Sequence, residues 1–470
     1  MYIVRTPRRS RQNRFDLVLD PFLRQPGLPF TDVLSAEDVH ETFAARGGLF
    51  GQDDIYSTPL VLWAFLAQVL RDGKGAACAA AVADIATYRQ QAGLPVPSGD
   101  TGDYCRARAK LDLGALRSLV TATAQQMEQD ADPSWLWHGL RPKLIDGFTF
   151  TMPDTPANQR QFPQQSNQAP GAGLPIARAC VVLSLATAAV HDMAIGPYKG
   201  KRTGEPALLR QILDCLQVGD VAVFDRCFCS FMMLALLLGR GVNFCARLHQ
   251  RRPVDFRRGK RLGPGDRLVT WIRPMCPPWM PGKLYALIPQ TLTLREVRFQ
   301  VIEPGRRTQS FVVVTSLTDP EAYSADAIAE LYGYRWNAEL DIRHIKQTLG
   351  LDHVRCKRPD MVCREVWVTL LAYVLIRKLI AAAAAVHGKQ PRQLGFTLAC
   401  QTVLSSWMLL AAGTCRNARQ LWQRALERIA ANQVANRPGR IEPRMLKRNR
   451  QHYPMMHHPR AELRQTMLSP

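Results

Sequence analysis

After Pro142 the chain changes its period, and that change limits what it can fold into. Before it, apolar residues recur at helical spacing. Leu60 to Leu70, with Trp63, Phe65 and Val69, predicts a packed helix, and Ala76 to Ala86 a second one built of small residues. After it, short apolar runs alternate with turn residues. Leu144 to Thr151 predicts a strand, and Ala179 to Leu185 with Ala189 to Ile195 a hairpin. Glu205 to Leu216 has helical spacing, the Gly219-Asp220 turn leads to a buried strand over Val221 to Phe224, and Phe231 to Leu238 returns to helix. Strand, hairpin, helix, strand is an α/β order.

A chain of 470 residues exceeds one ordinary core, so several units are expected. The divisions read from the pattern are a helical N-terminal unit over 1–138, which is the DNA-binding candidate, and an α/β core begun at 139–240 and resumed at 319–390. Between the two halves a β-rich insertion spans 241–318, and a helical C-terminal region with a basic tail spans 391–470. The insertion is antiparallel by the alternation in Leu292 to Ile302 and the run Phe311 to Thr315. The apolar stretch Val366 to Val386 is cut by Arg377 and Lys378, which predicts a buried helix rather than a membrane span.

Sixty-one Lys and Arg stand against 39 Asp and Glu, a formal net charge of +22. Such an excess draws a polyanion by long-range field and counterion release, so nucleic acid is the expected partner. The charge lies on no single amphipathic segment, which argues against a membrane surface. It is locally dense: Arg247, Arg251, Arg252, Arg257, Arg258, Lys260 and Arg261 crowd the start of the insertion against one acid, Asp255. Arg106, Arg108 and Lys110 mark a basic helix over Tyr104 to Leu113, and Arg437, Arg440, Arg444, Lys447, Arg448, Arg450, Arg460 and Arg464 a basic tail. The 12 cysteines are scattered and include no C-x-x-C pair, so neither a zinc ribbon nor a disulfide framework is indicated, and reduced thiols fit. Cys227 and Cys229, one residue apart, are expected on one face of a strand. Arg5, Arg8, Arg9, Arg11 and Arg14 open the chain with no apolar run behind them, so no signal peptide and a cytoplasmic protein are expected.

A single helix is predicted over Ser324 to Leu349, with Ser324 as its N-cap and Asp326 in its first turn. At about 100° per residue, Tyr332, Arg335, Glu339, Arg343 and Lys346 fall in a stripe about 80° wide. Leu331, Ile342, Ile345 and Leu349 form an apolar band beside it. One reading is a ladder of ion pairs facing solvent. The other is a carboxylate held among cations at the edge of a cleft, and the adjoining buried band favours it.

The spacing Y-(2)-R-(3)-E-(6)-K, carried by Tyr332, Arg335, Glu339 and Lys346, resembles the signature of the insertion-sequence-four transposases of the DDE class. Leu144-Ile145-Asp146-Gly147, followed by Pro153-Asp154-Thr155 and Asn158, is similar to that family's first aspartate segment. Gly219-Asp220-Val221 leading to Asp225-Arg226-Cys227-Phe228 is similar to the second, with Cys227 where the family usually has glycine. The likeness runs over roughly residues 30 to 455.

The resemblance implies a ribonuclease-H-like mixed sheet flanked by helices, with Asp146, Asp225 and Glu339 as catalytic carboxylates holding two Mg²⁺ ions, for which Mn²⁺ can substitute. Carboxylates suit a hard cation, and without metal three of them would repel. Asp154 competes with Asp146 as first ligand. Tyr332, Arg335 and Lys346 would hold the phosphates of the element's end, with Arg343 on the same stripe. Arg226 would add a contact or pair a carboxylate. Trp271 and Trp279 are candidates for stacking a flipped base, or core residues. The implied function is an insertion-sequence transposase, acting on double-stranded transposon ends and target DNA as a homodimer. The alternatives are a silent DNA-binding descendant or repressor, and a nuclease that cuts without joining.

Overall fold

The computed structural model describes residues 36–51, 54–91, 93–301, 309–411, 418–435 and 457–468. It opens with helices α1 (Ala36–Ala44), α2 (Thr58–Val69), α3 (Cys78–Gln91), α4 (Gly102–Lys110) and α5 (Leu113–Gln129). Pro59 sits in the first turn of α2, where its missing N–H costs nothing, and Asp112 Oδ1 caps α5 by accepting from Ala115 N at 2.7 Å.

Strand β1 (Arg141–Thr151) and the short helix α6 (Pro156–Gln161) precede the hairpin of β2 (Ile176–Ser184) and β3 (Val190–Pro197). Then come α7 (Glu205–Leu209), β4 (Asp220–Phe224), α8 (Phe231–Leu238) and β5 (Asn243–Arg247). The predicted helix over Glu205 to Leu216 is thus realised only to Leu209, with a single 3₁₀ turn at Leu213–Cys215. Next follow β6 (Lys260–Gly263), β7 (Asp266–Ile272), α9 (Gly282–Leu287), β8 (Thr291–Val301) and β9 (Gln309–Thr315). The chain ends in α10 (Ala325–Gly333), α11 (Trp336–Arg343), α12 (Pro359–Val386), α13 (Phe396–Ala411), α14 (Ala418–Ala431) and α15 (Arg460–Leu468).

All nine strands join one mixed sheet in the order β3-β2-β1-β4-β5-β9-β8-β7-β6. Strands β1, β4 and β5 are parallel, β2 is antiparallel to β1, and β9 closes antiparallel on β5. The segment expected as an insertion, 241–318, begins with the strand β5, parallel to β4, and its remaining strands extend the same sheet. Alternation shows that a segment is a strand but not which strand it lies beside, and the free edge of β5 has backbone groups that must be paired.

Successive residues of the central strands point into opposite cores. Leu144, Val181, Val221 and Val223 face a cluster shared with α2, α5, α10 and α12, whereas Ile145, Cys180, Val182, Ala222 and Phe224 face α7 and α8. The first cluster includes Trp63, Phe65 and Leu116, so the core runs across residue 138 without a break. Helix α12 is long and apolar enough to cross a membrane, and most of it is buried inside the protein. Its Arg377, 3% exposed, is paired with Asp341 of α11 at 2.8 Å.

The basic helix also differs from its expectation. Arg108 turns inward, donates to Gln68 Oε1 at 2.9 Å and stacks on Phe65, while Arg106 pairs with Asp103 on the surface. Arg5 to Arg14 and Arg437 to Arg450 lie outside the described residues, and Arg460 and Arg464 lie on α15, which buries no residue.

Candidate active site

Asp146 lies mid-way along β1, opposite Val181 of β2, on the same side of the sheet as Leu144 and Phe148. The register pair Ile145↔Phe224 brings the next residues, Asp146 and Asp225, to the point where β4 ends beside β1. Asp225 follows a strand buried along its whole length and is the first partly exposed residue past it. The competing Asp154 lies beyond the end of β1 and accepts from Gln159 at 2.8 Å.

Glu339 reaches this edge from α11. Ser324 caps the preceding helix as expected, its Oγ accepting from Ala327 N at 3.1 Å. The single helix to Leu349 is not formed. At Arg335, Asn337 and Ala338 the backbone bonds to the residue three back, and His344–Thr348 is a π turn. A tight turn followed by a wide one breaks the regular 100° progression, so the five stripe residues do not all converge. The apolar band does hold: Leu331, Ile342, Ile345 and Leu349 are all buried.

Arg335 links the acids. Its Nη1 donates to Asp146 Oδ2 at 3.3 Å and its Nη2 to Glu339 Oε1 at 3.0 Å. Tyr332 is buried against Phe299, and burial and the charge of Asp225 push its hydroxyl up to about 12. Lys346 pairs instead with Asp352 at 2.8 Å, over Phe148. Arg343 is exposed, and Arg226 donates to Gln250 at 2.8 Å rather than to a carboxylate.

Sequence reasoning missed one carboxylate. Glu205, the first residue of α7, leans on Gly147, and the Cys227 thiol donates to its Oε2 at 3.6 Å. Cys227 stands exposed in the turn after β4 and Cys229 is buried, so the two do not share a strand face. The one signal for Glu205 was a glycine directly after Asp146, which makes room for something.

Burial pushes the Asp146 carboxyl up to about 6, against the Gly147 N–H and Arg335, with Glu205 and Glu339 adding to the rise. Among the described residues no group of three or more His, Cys, Asp or Glu side chains is arranged to hold a metal ion. The donor chemistry nevertheless fits a hard divalent cation. The acids at this edge offer only oxygen, their charges oppose one another, and the Arg335 guanidinium occupies the place of a counter-ion between two of them.

Trp271 of β7 is 4% exposed, donates to Glu296 Oε1 at 3.3 Å and is covered by Arg252 at 3.5 Å, so it is a core residue. Trp279 is half-buried under Arg210 at 3.9 Å. Trp271→Ala should cost about 3–5 kcal/mol in denaturant unfolding. A loss of DNA binding with stability intact would instead put this ring at the DNA.

The family described as "Transposase DDE domain" matches residues 137–375, which contain Asp146, Asp225 and Glu339. The chain is 28% identical over 355 residues to the Escherichia coli K12 transposase InsG of insertion sequence element IS4, covering 74% of this chain and 77% of that one. It is 35% identical over 103 residues to the Escherichia coli transposase of insertion sequence element IS421, covering 20% and 26%. A solved piggyBac transposase synaptic complex with hairpin DNA aligns over 92% of this chain and 88% of its own at 12% identity, with a TM-score of 0.43, too distant to carry weight. With the family match spanning over half of its length, and with the transposase of IS4 matched along most of both chains, this chain belongs to the DDE transposases, in the insertion-sequence-four group.

Proposed function

We propose that this transposase binds the inverted-repeat ends of its insertion sequence, cuts phosphodiester bonds there and joins the freed 3′-hydroxyls to target DNA. The observation that carries the reading is the placement of Asp146 and Asp225 on adjoining parallel strands where β4 ends, with Arg335 bridging Asp146 to Glu339 of α11. The strand order β3-β2-β1-β4-β5 supports a ribonuclease-H-like core.

Asp146, Asp225 and Glu339 would hold two Mg²⁺ ions, or Mn²⁺ in their place. Bound there, they would supply the charge that activates a water or hydroxyl and that stabilises the leaving oxygen of the phosphodiester. The rest falls to the chain. Arg335 releases the two carboxylates and turns its planar fork onto a phosphate, and Lys346 exchanges Asp352 for a second phosphate as a point charge. Tyr332, beside Asp225, fixes the strand at the cut, and Arg343 and Arg226 extend the contact outward. The helices of 1–138 read the ends, and a homodimer brings two ends together on DNA in the cytoplasm.

The test is purified protein with end-sequence DNA and a target plasmid. Joined products should form in Mg²⁺ and not in EDTA, and Asp225→Ala should lose joining by at least about 1,000-fold while still binding the ends. Joining undiminished in Asp225→Ala sinks the three-carboxylate mechanism. Cutting without joining makes the protein a nuclease, and binding without cutting a silent descendant.

A further inference from the structure

We infer that Glu205 is a fourth carboxylate of the metal centre, sharing a divalent cation with Asp146; the inference rests on the three-carboxylate reading above. Three observations carry it. First, a Cβ on Gly147 would lie 2.2 Å from Glu205 Cδ and 2.5 Å from its Oε1, so the carboxyl occupies the space that any other residue at 147 would fill. Gly147 faces away from Asp146 by strand alternation. The missing side chain therefore opens the sheet and lets an acid from the α7 side come up against the Asp146 backbone.

Second, among the described residues Glu205 has no cation within ion-pair distance, and its hydrogen-bond partner is the thiol of Cys227, a weak donor. The acids elsewhere along these elements are neutralised: Asp220 by Arg141, Asp192 by Arg117, Asp341 by Arg377. A half-buried carboxylate set beside another carboxylate, with no cation supplied by the chain, opposes folding. A divalent ion with oxygen preference turns that repulsion into shared ligation.

Third, the carboxyl is not turned to the end of its own helix. The N-cap of α7 is Gly204, with no side-chain cap bond, and Glu205 is the acid of the first turn. Its side chain instead lies between Gly147 of β1 and Cys227, two residues past Asp225, beside the end of β4.

The experiment is Mn²⁺ binding to the full-length protein without DNA, read by the electron paramagnetic resonance of free Mn²⁺. Wild type, Glu205→Gln, Asp146→Asn and Asp225→Ala are compared, with melting temperatures in EDTA alongside. The inference expects Glu205→Gln to weaken Mn²⁺ binding by about tenfold or more, with a melting temperature in EDTA equal to or above wild type. Unchanged Mn²⁺ binding in Glu205→Gln, with binding lost in Asp146→Asn, overturns the role of Glu205 and leaves the three-carboxylate reading standing. Equal Mn²⁺ binding in all four proteins overturns both. If Glu205→Gln does not fold, Glu205→Asp decides: it keeps the charge but withdraws the carboxyl from Gly147, and undiminished binding there overturns the inference.

Discussion

Asp146→Asn is expected to silence joining and, at the same time, to make the metal-free protein harder to unfold. The folded carboxyl titrates at about 6 because it is buried, against 3.8 for the ordinary group. Between those two values the folded protein holds a proton that the unfolded chain has released. Stability therefore falls as pH rises through that window, and above it the full cost remains, up to about 3 kcal/mol. Asparagine carries no charge to desolvate. It does give up the contact from Arg335, but that contact is long and partly exposed and contributes little. Denaturant unfolding in EDTA should show the variant about 1–3 kcal/mol more stable near pH 8, with the gain fading towards pH 4. Strand joining in Mg²⁺ should drop by at least about 1,000-fold, because an amide is a poor ligand for a hard cation. A gain that does not change with pH would mean that the carboxylate is not the source of the cost.

Arg377→Met should be the most damaging change away from the site. Asp341, 1% exposed, accepts from Arg377 and from Arg392, each at 2.8 Å. Arg377 is held in turn by Tyr373 Oη at 3.0 Å and by the Phe396 ring. Removing it leaves a buried carboxylate with half of its compensation, at a cost of about 3–5 kcal/mol. Asp341 stands two residues from Glu339 on α11, so the same change also loosens the helix that carries a candidate ligand. Restoring balance with Asp341→Leu in the same chain should recover most of the stability, since Arg392 keeps the Ser184 and Leu185 carbonyls as acceptors and replacing a buried pair is far milder than stranding one carboxylate. If the double variant is no better than the single one, the pair is not what fixes α11.

What the sequence made legible was local. The four-residue spacing singled out Glu339, the Ser324 cap began α10 as expected, and a short apolar run ended at Asp225. What it left hidden was mostly partnership across distance. Nothing near residue 243 says that Asn243–Arg247 will lie beside β4, because a buried run carries no mark of its neighbour. Arg108 reads by its charge as a surface residue, whereas its burial against Phe65 comes from a segment far away in the chain. The helical stripe assumed one regular helix, and the three-residue hydrogen bonds after Gly333 undo that assumption. Glu205 escaped notice because its meaning comes only from Gly147, which is 58 residues earlier, on β1, while Glu205 itself opens a helix.

The unbroken sheet turns the protein into a ruler. Because β9 is hydrogen-bonded to β5, the arginine-rich outer strands cannot swing as a hinged module; they move as one stiff plate with β4, whose end carries Asp225. Five strand spacings separate β4 from β6, a span of about 24 Å, which along duplex DNA is roughly seven base pairs. The distance from the outer strands to Asp225 is thereby written into strand count, and a one-residue slip of β9 on β5 would turn the outer strands face for face.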